Sequence, residues 1–185
     1  MNDSSKSSNG YLLEATDLKV TFRAPGGRKL HAVDTISIGV RPGETVGLVG
    51  ESGSGKSTVA LTLMRAHEPE GGTIIFDGQD ITHLKERGLK PIRPRLQMVF
   101  QDPYSSLDPR MTVRRIVAEP LKAHRFGTRA QINQRVDELL EQVGLPPDAA
   151  ERLPAQFSGG QRQRIAIARS LALEPKALIA DEPVS

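Results

Sequence analysis

The sequence contains no cysteine and no tryptophan, and aromatic residues make up only 4% of its 185 residues. The lack of cysteine excludes disulfides and thiolate metal sites, and it is compatible with a reducing compartment. No run of about 18 apolar residues is present, so the sequence predicts no membrane-spanning helix. The first ten residues are polar and lack the apolar segment of a signal peptide, so we expect residues 1–10 to form a disordered leader.

The rest of the composition is that of a globular protein. Hydrophobic residues make up 37% of the chain, and a length of 185 residues suits one domain, since domains run to about 100–200 residues. The net charge of +3 is mildly basic and does not by itself indicate a nucleic-acid partner. The densest basic stretch, residues 85–95, is either a solvated loop or a surface for an anionic partner or membrane.

The first half of the chain has the pattern of short β-strands. Apolar and β-branched residues predict strands at residues 11–22 and 32–40, with a glycine-containing turn between them. Residues 71–81 predict another strand that ends in the turn Asp77-Gly78. The apolar run Thr45–Val49 predicts a further short strand.

From residue 102 onward the pattern becomes helical. One predicted helix, within residues 128–145, places five apolar residues on a single face: Ile132, Val136, Leu139, Leu140 and Val143. A second helix is predicted after Ser158. The apolar run Ala177–Ala180 then predicts a buried parallel strand, because strands covered on both faces read as continuous apolar runs.

A glycine-rich loop is the strongest local signal. Residues 50–58, GESGSGKST, fit the phosphate-binding pattern G-x-x-x-x-G-K-[ST]. Glycines let backbone N–H groups approach phosphate oxygens, and the following helix N-terminus adds its positive end. Lys56 supplies a point charge to the β- and γ-phosphates, and the Ser57 hydroxyl suits Mg²⁺. The predicted phosphate-binding residues are Gly50, Glu51, Ser52, Gly53, Ser54, Gly55, Lys56, Ser57 and Thr58.

Two adjacent acids, Asp181 and Glu182, follow the last apolar run. A phosphate-loop nucleotidase needs a carboxylate at the end of such a strand to hold Mg²⁺, which suits Asp181. Glu182 is then placed to orient or deprotonate an attacking water. The alternatives are a chance glycine-serine match for the loop and an ordinary strand end for the acids.

A third motif narrows the class of nucleotide-binding protein. Residues 157–183, FSGGQRQRIAIARSLALEPKALIADEP, resemble the ATP-binding cassette (ABC) family. The signature motif of that family is matched by Ser158, Gly159, Gly160 and Gln161, with Phe157 where most members have leucine. Ser158 can also cap the helix that follows.

The resemblance covers residues 12–185 and implies an α/β fold, with the ATPase domain at residues 11–185. The expected fold is a P-loop NTPase cassette with an N-terminal antiparallel β-subdomain, a RecA-like parallel sheet core and a helical subdomain at about residues 105–173. Its terminal strands are expected to be missing.

The resemblance also implies ATP and Mg²⁺ as ligands and assigns roles to further residues. Gln101, in VFQDP, matches the Q-loop, which contributes a Mg²⁺ ligand beside Ser57 and Asp181 and senses the membrane partner. Phe22 matches the aromatic residue that stacks on adenine, and its alternative is a core phenylalanine. In the family the signature motif closes over ATP held by a second cassette, arranged head to tail.

Two stretches, FQDPYSSLDPRMTV and DEPVS, resemble the ATPases of bacterial oligopeptide, dipeptide and nickel importers. This implies a peptide-type cargo, transmembrane permease subunits as partners, and an extracytoplasmic substrate-binding protein that acts indirectly. The implied location is peripheral, on the cytoplasmic face of the inner membrane, with no nucleic-acid partner. Cargo itself does not contact a cassette of this kind.

Two other functions stay open. Non-transport cassettes act on nucleic acid or ribosomes, but many of them carry long coiled-coil insertions, whereas only 56 residues separate Gln101 from Ser158. The other alternative is ATP binding without turnover, because the family's D-loop and switch histidine follow the position of Ser185. All four histidines, His31, His67, His83 and His124, precede Asp181. We therefore expect a C-terminally truncated cassette with an exposed sheet edge, reduced stability and a tendency to associate.

Overall fold

The computed structural model describes residues 10–23, 26–102 and 106–182. The predicted leader, apart from Gly10, lies outside the described residues. The chain forms two compact units, residues 1–91 and residues 92–185, which are described separately. The predicted boundaries of the helical subdomain, residues 105 and 173, stay a prediction.

The first unit is built on an antiparallel sheet of four strands in the order β2-β1-β3-β4. These strands are β1 (Leu13–Arg23), β2 (Lys29–Val40), β3 (Gly71–Phe76) and β4 (Gln79–Asp80). Leu13 pairs with Val40 on one side and with Phe76 on the other, which fixes the register. The strands predicted at residues 11–22, 32–40 and 71–76 are therefore confirmed.

Strand β1 has a buried apolar face that is interrupted once. Leu13, Ala15, Leu18 and Val20 are buried, and the change of spacing between Ala15 and Leu18 coincides with a shift in the β1–β2 register. A bulge of this kind restores the apolar face to the core after an extra residue.

The turn between β3 and β4 is the predicted Asp77-Gly78 pair. Its φ angles are 49° at Asp77 and 77° at Gly78. Two successive residues with positive φ are typical of a type I′ hairpin turn, whose twist matches that of the flanking strands. This prediction is confirmed.

Two helices complete the first unit, α1 (Lys56–Leu63) and α2 (Glu86–Leu89). The strand predicted at Thr45–Val49 is wrong, because these residues adopt no regular structure. A strand is stabilised by a hydrogen-bonded neighbour, and no described segment pairs with this run. Its side chains are accordingly open to solvent, with Val49 93% exposed.

The second unit has a parallel pair of strands, β5 (Leu96–Val99) and β6 (Ala177–Ala180). Leu96 lies opposite Ala177, and Val99 opposite Ala180. The predicted parallel strand is confirmed, but the prediction that it is buried is wrong. Its residues alternate between half-buried and exposed, and Leu178 is 40% exposed, because β5 is its only hydrogen-bonded neighbour among the described residues.

Three helices carry most of the core of the second unit: α3 (Val113–Ala123), α4 (Arg129–Gln142) and α5 (Gly159–Leu171). Two short 3₁₀ turns, Pro147–Glu151 and Pro154–Gln156, lie between α4 and α5. The predicted apolar face of α4 is confirmed, since four of its members are buried and Val143 is partly buried against them: Ile132, Val136, Leu139 and Leu140.

Helix α4 begins and ends as its sequence predicts. Thr128 accepts a hydrogen bond from the Gln131 amide, while the Gln131 side chain accepts one from the Thr128 amide, which is a capping box. Gly144, with φ of 69°, ends the helix, since glycine adopts the left-handed region without a steric penalty.

Candidate nucleotide site

The glycine-rich loop leads into α1 as predicted. Gly53 and Gly55 have φ of 79° and 94°, in the left-handed region that favours glycine. A Cβ at Gly55 would also collide with the carbonyl oxygen of Ala32 on β2. Gly55 is thus required both for its backbone conformation and for the close approach of the loop to the sheet.

Lys56, the first residue of α1, folds its side chain back across the loop. Its Nζ donates hydrogen bonds to the carbonyl oxygens of Gly50 at 2.9 Å and Glu51 at 2.8 Å. These neutral acceptors hold the ammonium at the mouth of an exposed loop. Phosphate oxygens are stronger acceptors for an ammonium, because both partners are then charged.

The start of α1 favours an anion. Its first turn contains no acidic side chain, and Ser57 and Thr58 follow Lys56 there. The first amides of a helix have no intrahelical acceptors and carry the positive end of the helix dipole. The loop, the helix start and the lysine therefore offer donors and positive charge to one group of oxygens.

Phe22 lies near the end of β1 and is half-buried. It is absent from the buried core, which disfavours the core-phenylalanine alternative. Its ring forms an edge-to-face pair with His67, with centroids 5.1 Å apart and planes at 80°. The sequence pattern did not identify His67, because it matches no motif and lies far from Phe22 along the chain.

A charged pair, Lys29 and Glu70, also lies in the first unit. Lys29 Nζ is 3.4 Å from Glu70 Oε1 on the exposed surface. Hydrogen bonds from Thr21 and Lys29, together with the charge of Lys29, lower the pKa of Glu70. Glu70 therefore stays a carboxylate at neutral pH, and its charge is balanced by its lysine partner.

In the second unit, the parallel pairing of β5 and β6 brings the predicted Q-loop and the acid pair together. The amide of Asp181 donates to the carbonyl oxygen of Val99 at 3.0 Å, which continues the ladder past β6. Gln101 Nε2 then donates to Glu182 Oε2 at 2.6 Å. Asp181 is half-buried and Glu182 is exposed.

Glu182 also has an unusual backbone, with φ of 44°. A non-glycine residue in the left-handed region costs about 1–3 kcal/mol and is found mostly where surrounding contacts enforce it. Here the ladder bond at Asp181 and the Gln101 side chain lie on either side of that conformation. The carboxylate is thus directed by contacts from the ends of two strands.

The signature residues form the capped start of α5. The Ser158 side chain accepts from the Gln161 amide, and the Gln161 side chain accepts from the Ser158 amide. A Cβ at Gly159 or Gly160 would meet no atom within 4 Å. The two glycines therefore leave an exposed stretch of backbone at a helix N-terminus, where a ligand can approach closely.

The segment before the signature motif is held by contacts that the sequence pattern did not reveal. Phe157 is buried in the helical core, and the Arg152 guanidinium carbon lies 4.5 Å from its ring centroid. Arg162 Nε donates to the carbonyl oxygen of Pro154 at 2.8 Å. The phenylalanine that replaces the more common leucine thus anchors the motif to the core.

The predicted site residues fall into two groups within the two units. The first unit holds Phe22 and the phosphate loop, in which Lys56 contacts Gly50 and Glu51. The second unit holds Gln101 in contact with Glu182, and separately the capped signature motif. In the described part of the chain, no helix is long and apolar enough to cross a membrane.

A glycine loop of this geometry, opening directly into a helix with its lysine at the first position, defines a phosphate-loop nucleotide-binding protein. The family described as ABC transporter matches residues 33–185, and the chain belongs to that family. The predicted family and the predicted α/β fold class are therefore confirmed.

Similar proteins are named as ATP-binding proteins of transport or import systems. The chain is 51% identical over 181 residues to the oligopeptide transport ATP-binding protein AppF of Bacillus subtilis, covering 94% of this chain and 55% of AppF. It is 56% identical over 158 residues to the glutathione import ATP-binding protein GsiA of Salmonella paratyphi A, covering 85% of this chain and 25% of GsiA. The predicted resemblance to peptide-importer ATPases is confirmed. The chain spans about half the length of AppF and a quarter of the length of GsiA.

Solved structures agree with the fold. The ATP-binding cassette MJ0796, in a dimeric post-hydrolysis state bound to ADP and Pi, superposes with a TM-score of 0.85 at 31% identity. The match covers 93% of this chain and 74% of that cassette. CbiO1 from Clostridium perfringens, part of the transporter complex cbiONQ, gives a TM-score of 0.78 at 31% identity, covering 94% of this chain and 66% of CbiO1.

Proposed function

We propose that this chain binds ATP with Mg²⁺ and hydrolyses it as the ATPase subunit of an importer for oligopeptides or dipeptides. The observation that carries the proposal is the loop Gly50–Thr58, with its left-handed glycines and the Lys56 ammonium across its mouth. The resemblance of the chain to AppF and GsiA supports the peptide-type cargo.

The loop is proposed to bind the phosphates through backbone amides and Lys56. In that role, Lys56 exchanges the carbonyl oxygens of Gly50 and Glu51 for β- and γ-phosphate oxygens. The exchange replaces neutral acceptors with charged ones, so it favours the bound state.

Magnesium fits the chemistry of the residues assigned to it. Ser57, Gln101 and Asp181 offer a hydroxyl, an amide oxygen and a carboxylate, which are the hard oxygen donors that Mg²⁺ prefers. Among the described residues, no group of three or more histidines and acids could hold a metal ion by itself. A Mg²⁺ ion bound there would neutralise charge on the β- and γ-phosphates.

Glu182 is proposed as the general base that accepts a proton from the attacking water. Gln101 donates to one of its two carboxylate oxygens, which leaves the other oxygen to accept from water. Positioning of this kind, together with electrostatic stabilisation by Lys56, supplies most of the catalysis expected for phosphoryl transfer.

The remaining partners are proposed by analogy with the family. Ser158–Gln161 is proposed to close over ATP held by a second cassette, arranged head to tail, and its open glycine backbone suits contact with phosphate oxygens. The pair is proposed to drive transmembrane permease subunits from the cytoplasmic face of the inner membrane. A substrate-binding protein would deliver the peptide from outside.

A Lys56→Ala variant tests the binding part of the proposal. We expect affinity for ATP with Mg²⁺ to fall about 10- to 100-fold, since hydrogen bonds to charged groups contribute about 1.5–3 kcal/mol. The measurement is calorimetric titration, with Lys90→Ala as a control from the same unit. Unchanged ATP affinity in Lys56→Ala would remove the loop from the nucleotide site.

A Glu182→Gln variant tests the chemical part. Glutamine keeps an oxygen that can accept from Gln101 but cannot take a proton, so turnover should fall about 10²- to 10⁴-fold while ATP binding is retained. Phosphate release is the readout, and Glu141→Gln on α4 is the control. Turnover within twofold of the parent protein would exclude Glu182 as the base.

A second candidate function is ATP binding without turnover. Single-turnover measurement with the unmodified chain separates the two functions. Binding with no phosphate release supports the second candidate, and release of phosphate from the bound ATP supports the first.

A further inference from the structure

His67 contacts the residue assigned to the nucleotide base, although it belongs to no nucleotide-binding motif. Its ring and that of Phe22 lie 5.1 Å apart at 80°. Both values are those of a favourable edge-to-face aromatic pair, for which centroids lie about 4.5–7 Å apart. Since either ring can supply the edge, His67 leaves at least one face of Phe22 uncovered.

The backbone around His67 is held by a buried arginine. Arg65 is only 9% exposed, and its Nη1 donates to the carbonyl oxygen of His67 at 3.1 Å. Its Nε donates to the carbonyl oxygen of Ile81 at 2.9 Å. A buried guanidinium with two backbone acceptors fixes the segment that carries His67, because breaking either bond leaves a buried N–H group without its acceptor.

The strand neighbours of Phe22 offer its ring less support. Phe22 pairs across the sheet with Leu30 of β2, which is 58% exposed. The next residue of β1, Arg23, is also exposed. Among the described contacts of Phe22, the ring of His67 is thus the one suited to fix the orientation of its side chain.

The position of His67 also relates the two ends of the proposed nucleotide site. Helix α1 begins at the phosphate loop with Lys56 and ends at Leu63, four residues before His67. The amide of His67 donates back to the carbonyl oxygen of Leu61 on that helix, at 3.4 Å. One short helix therefore carries the phosphate-binding lysine at its start and the support for Phe22 just beyond its end.

We propose that His67 is a positioning residue for the nucleotide base, which holds the Phe22 ring so that a free face can stack on adenine. The proposal rests on the proposed function, specifically on Phe22 as the base-stacking residue. It assigns to His67 no contact with the phosphates, so its effect should depend on the presence of a base.

The test compares two ligands, ATP with Mg²⁺ and inorganic tripolyphosphate with Mg²⁺, by calorimetric titration of the purified chain. In His67→Ala we expect ATP affinity to fall about three- to tenfold, the range expected for the loss of an aromatic pair. Tripolyphosphate affinity should change less than twofold. His67→Phe should bring ATP affinity back to within twofold, because a phenyl ring can form the same edge-to-face contact.

His83→Ala is the matched control. His83 lies in the same unit, is 69% exposed and has Glu68, not an aromatic ring, as its partner at 3.7 Å. We expect both affinities to be unchanged in this variant. Equal loss in His83→Ala and His67→Ala would overturn the specific role of His67.

Phe22→Ala distinguishes failure of this inference from failure of the base site itself. If Phe22→Ala loses about tenfold in ATP affinity, as base stacking predicts, while His67→Ala does not, the role of His67 is overturned and the base site stands. If neither variant loses ATP affinity, both are overturned. Loss of tripolyphosphate affinity in His67→Ala, or no recovery in His67→Phe, would also overturn the positioning role.

Discussion

Two short apolar runs precede the residues proposed to meet ATP, yet only one of them is a strand. Ala177–Ala180 forms β6, because β5 lies beside it and accepts its hydrogen bonds. Thr45–Val49 has no such neighbour among the described residues, and Val49 is 93% exposed. The difference shows that an apolar run becomes a strand only where its backbone groups find a partner.

The two regions therefore hold their functional residues in different ways. The acid pair depends on a ladder that joins residues more than 80 positions apart. The phosphate loop depends on its own glycines, on Lys56 and on one close approach to β2. Loss of a ladder hydrogen bond should therefore lower the free energy of unfolding most at β6. Substitution of a glycine should lower it most in the phosphate loop.

The largest expected effect follows from loss of a ladder bond in β6. The amide of Ala177 donates to the carbonyl oxygen of Arg95, just before β5, and the amide of Asp181 donates to that of Val99 in β5, so by alternation the amide of Ile179 faces β5 as well. Ile179→Pro should lower the free energy of unfolding by about 2–3 kcal/mol, through the lost bond and the strain of the ring. Urea unfolding followed by circular dichroism measures it.

Leu178→Pro is the internal control for that variant, since the Leu178 amide points away from β5. It should cost less than half as much as Ile179→Pro. Equal costs for the two prolines would mean that the β5–β6 ladder does not stabilise this region.

The next effect concerns Gly55. Gly55→Ala forces a side chain into a conformation with φ of 94° and into the carbonyl oxygen of Ala32. We expect a loss of about 2–3 kcal/mol of stability, to which backbone strain contributes about 1–3 kcal/mol. Gly53→Ala shares the positive φ but meets no atom within 4 Å, so it should cost about 1 kcal/mol. The difference in stability loss between Gly55→Ala and Gly53→Ala measures the contribution of the close contact between the loop and β2.

The smallest effect is expected at Val49. Val49→Thr should change the free energy of unfolding by less than about 0.5 kcal/mol, because an exposed hydroxyl stays hydrated. The same exchange at Val99, which is 2% exposed in β5, should cost about 1–3 kcal/mol. A large loss in Val49→Thr would show that Thr45–Val49 is packed after all, and the contrast with β6 would disappear.

The local parts of the fold and of the candidate site were predictable from the sequence. The glycine loop, the capping box at Ser158 and the turn at Asp77-Gly78 are each specified within a few residues by backbone preference and side-chain chemistry. The functional roles of the loop and of the signature motif were predicted from the same residues and stay predictions.

The long-range parts were not predictable. No local pattern relates Phe22 to His67, or Gln101 to Glu182, since these contacts arise only when strands and helices pack. The apolar composition of Ala177–Ala180 also suggested burial on both faces, but burial depends on what lies against a strand rather than on its own residues.

The pairing of β5 with β6 also determines how the segments that carry Gln101 and Glu182 tolerate insertions and deletions. Val99 lies opposite Ala180, and Gln101 and Glu182 each stand two positions beyond that pair. The number of residues between the end of the strand and the functional side chain is the same after β5 as after β6. The Gln101 amide and the Glu182 carboxylate therefore meet only while these two numbers are equal. Insertion or deletion of a single residue after either strand would offset them by about 3.3 Å, one residue step, and would exchange the partner of Gln101 without altering any residue of the motif.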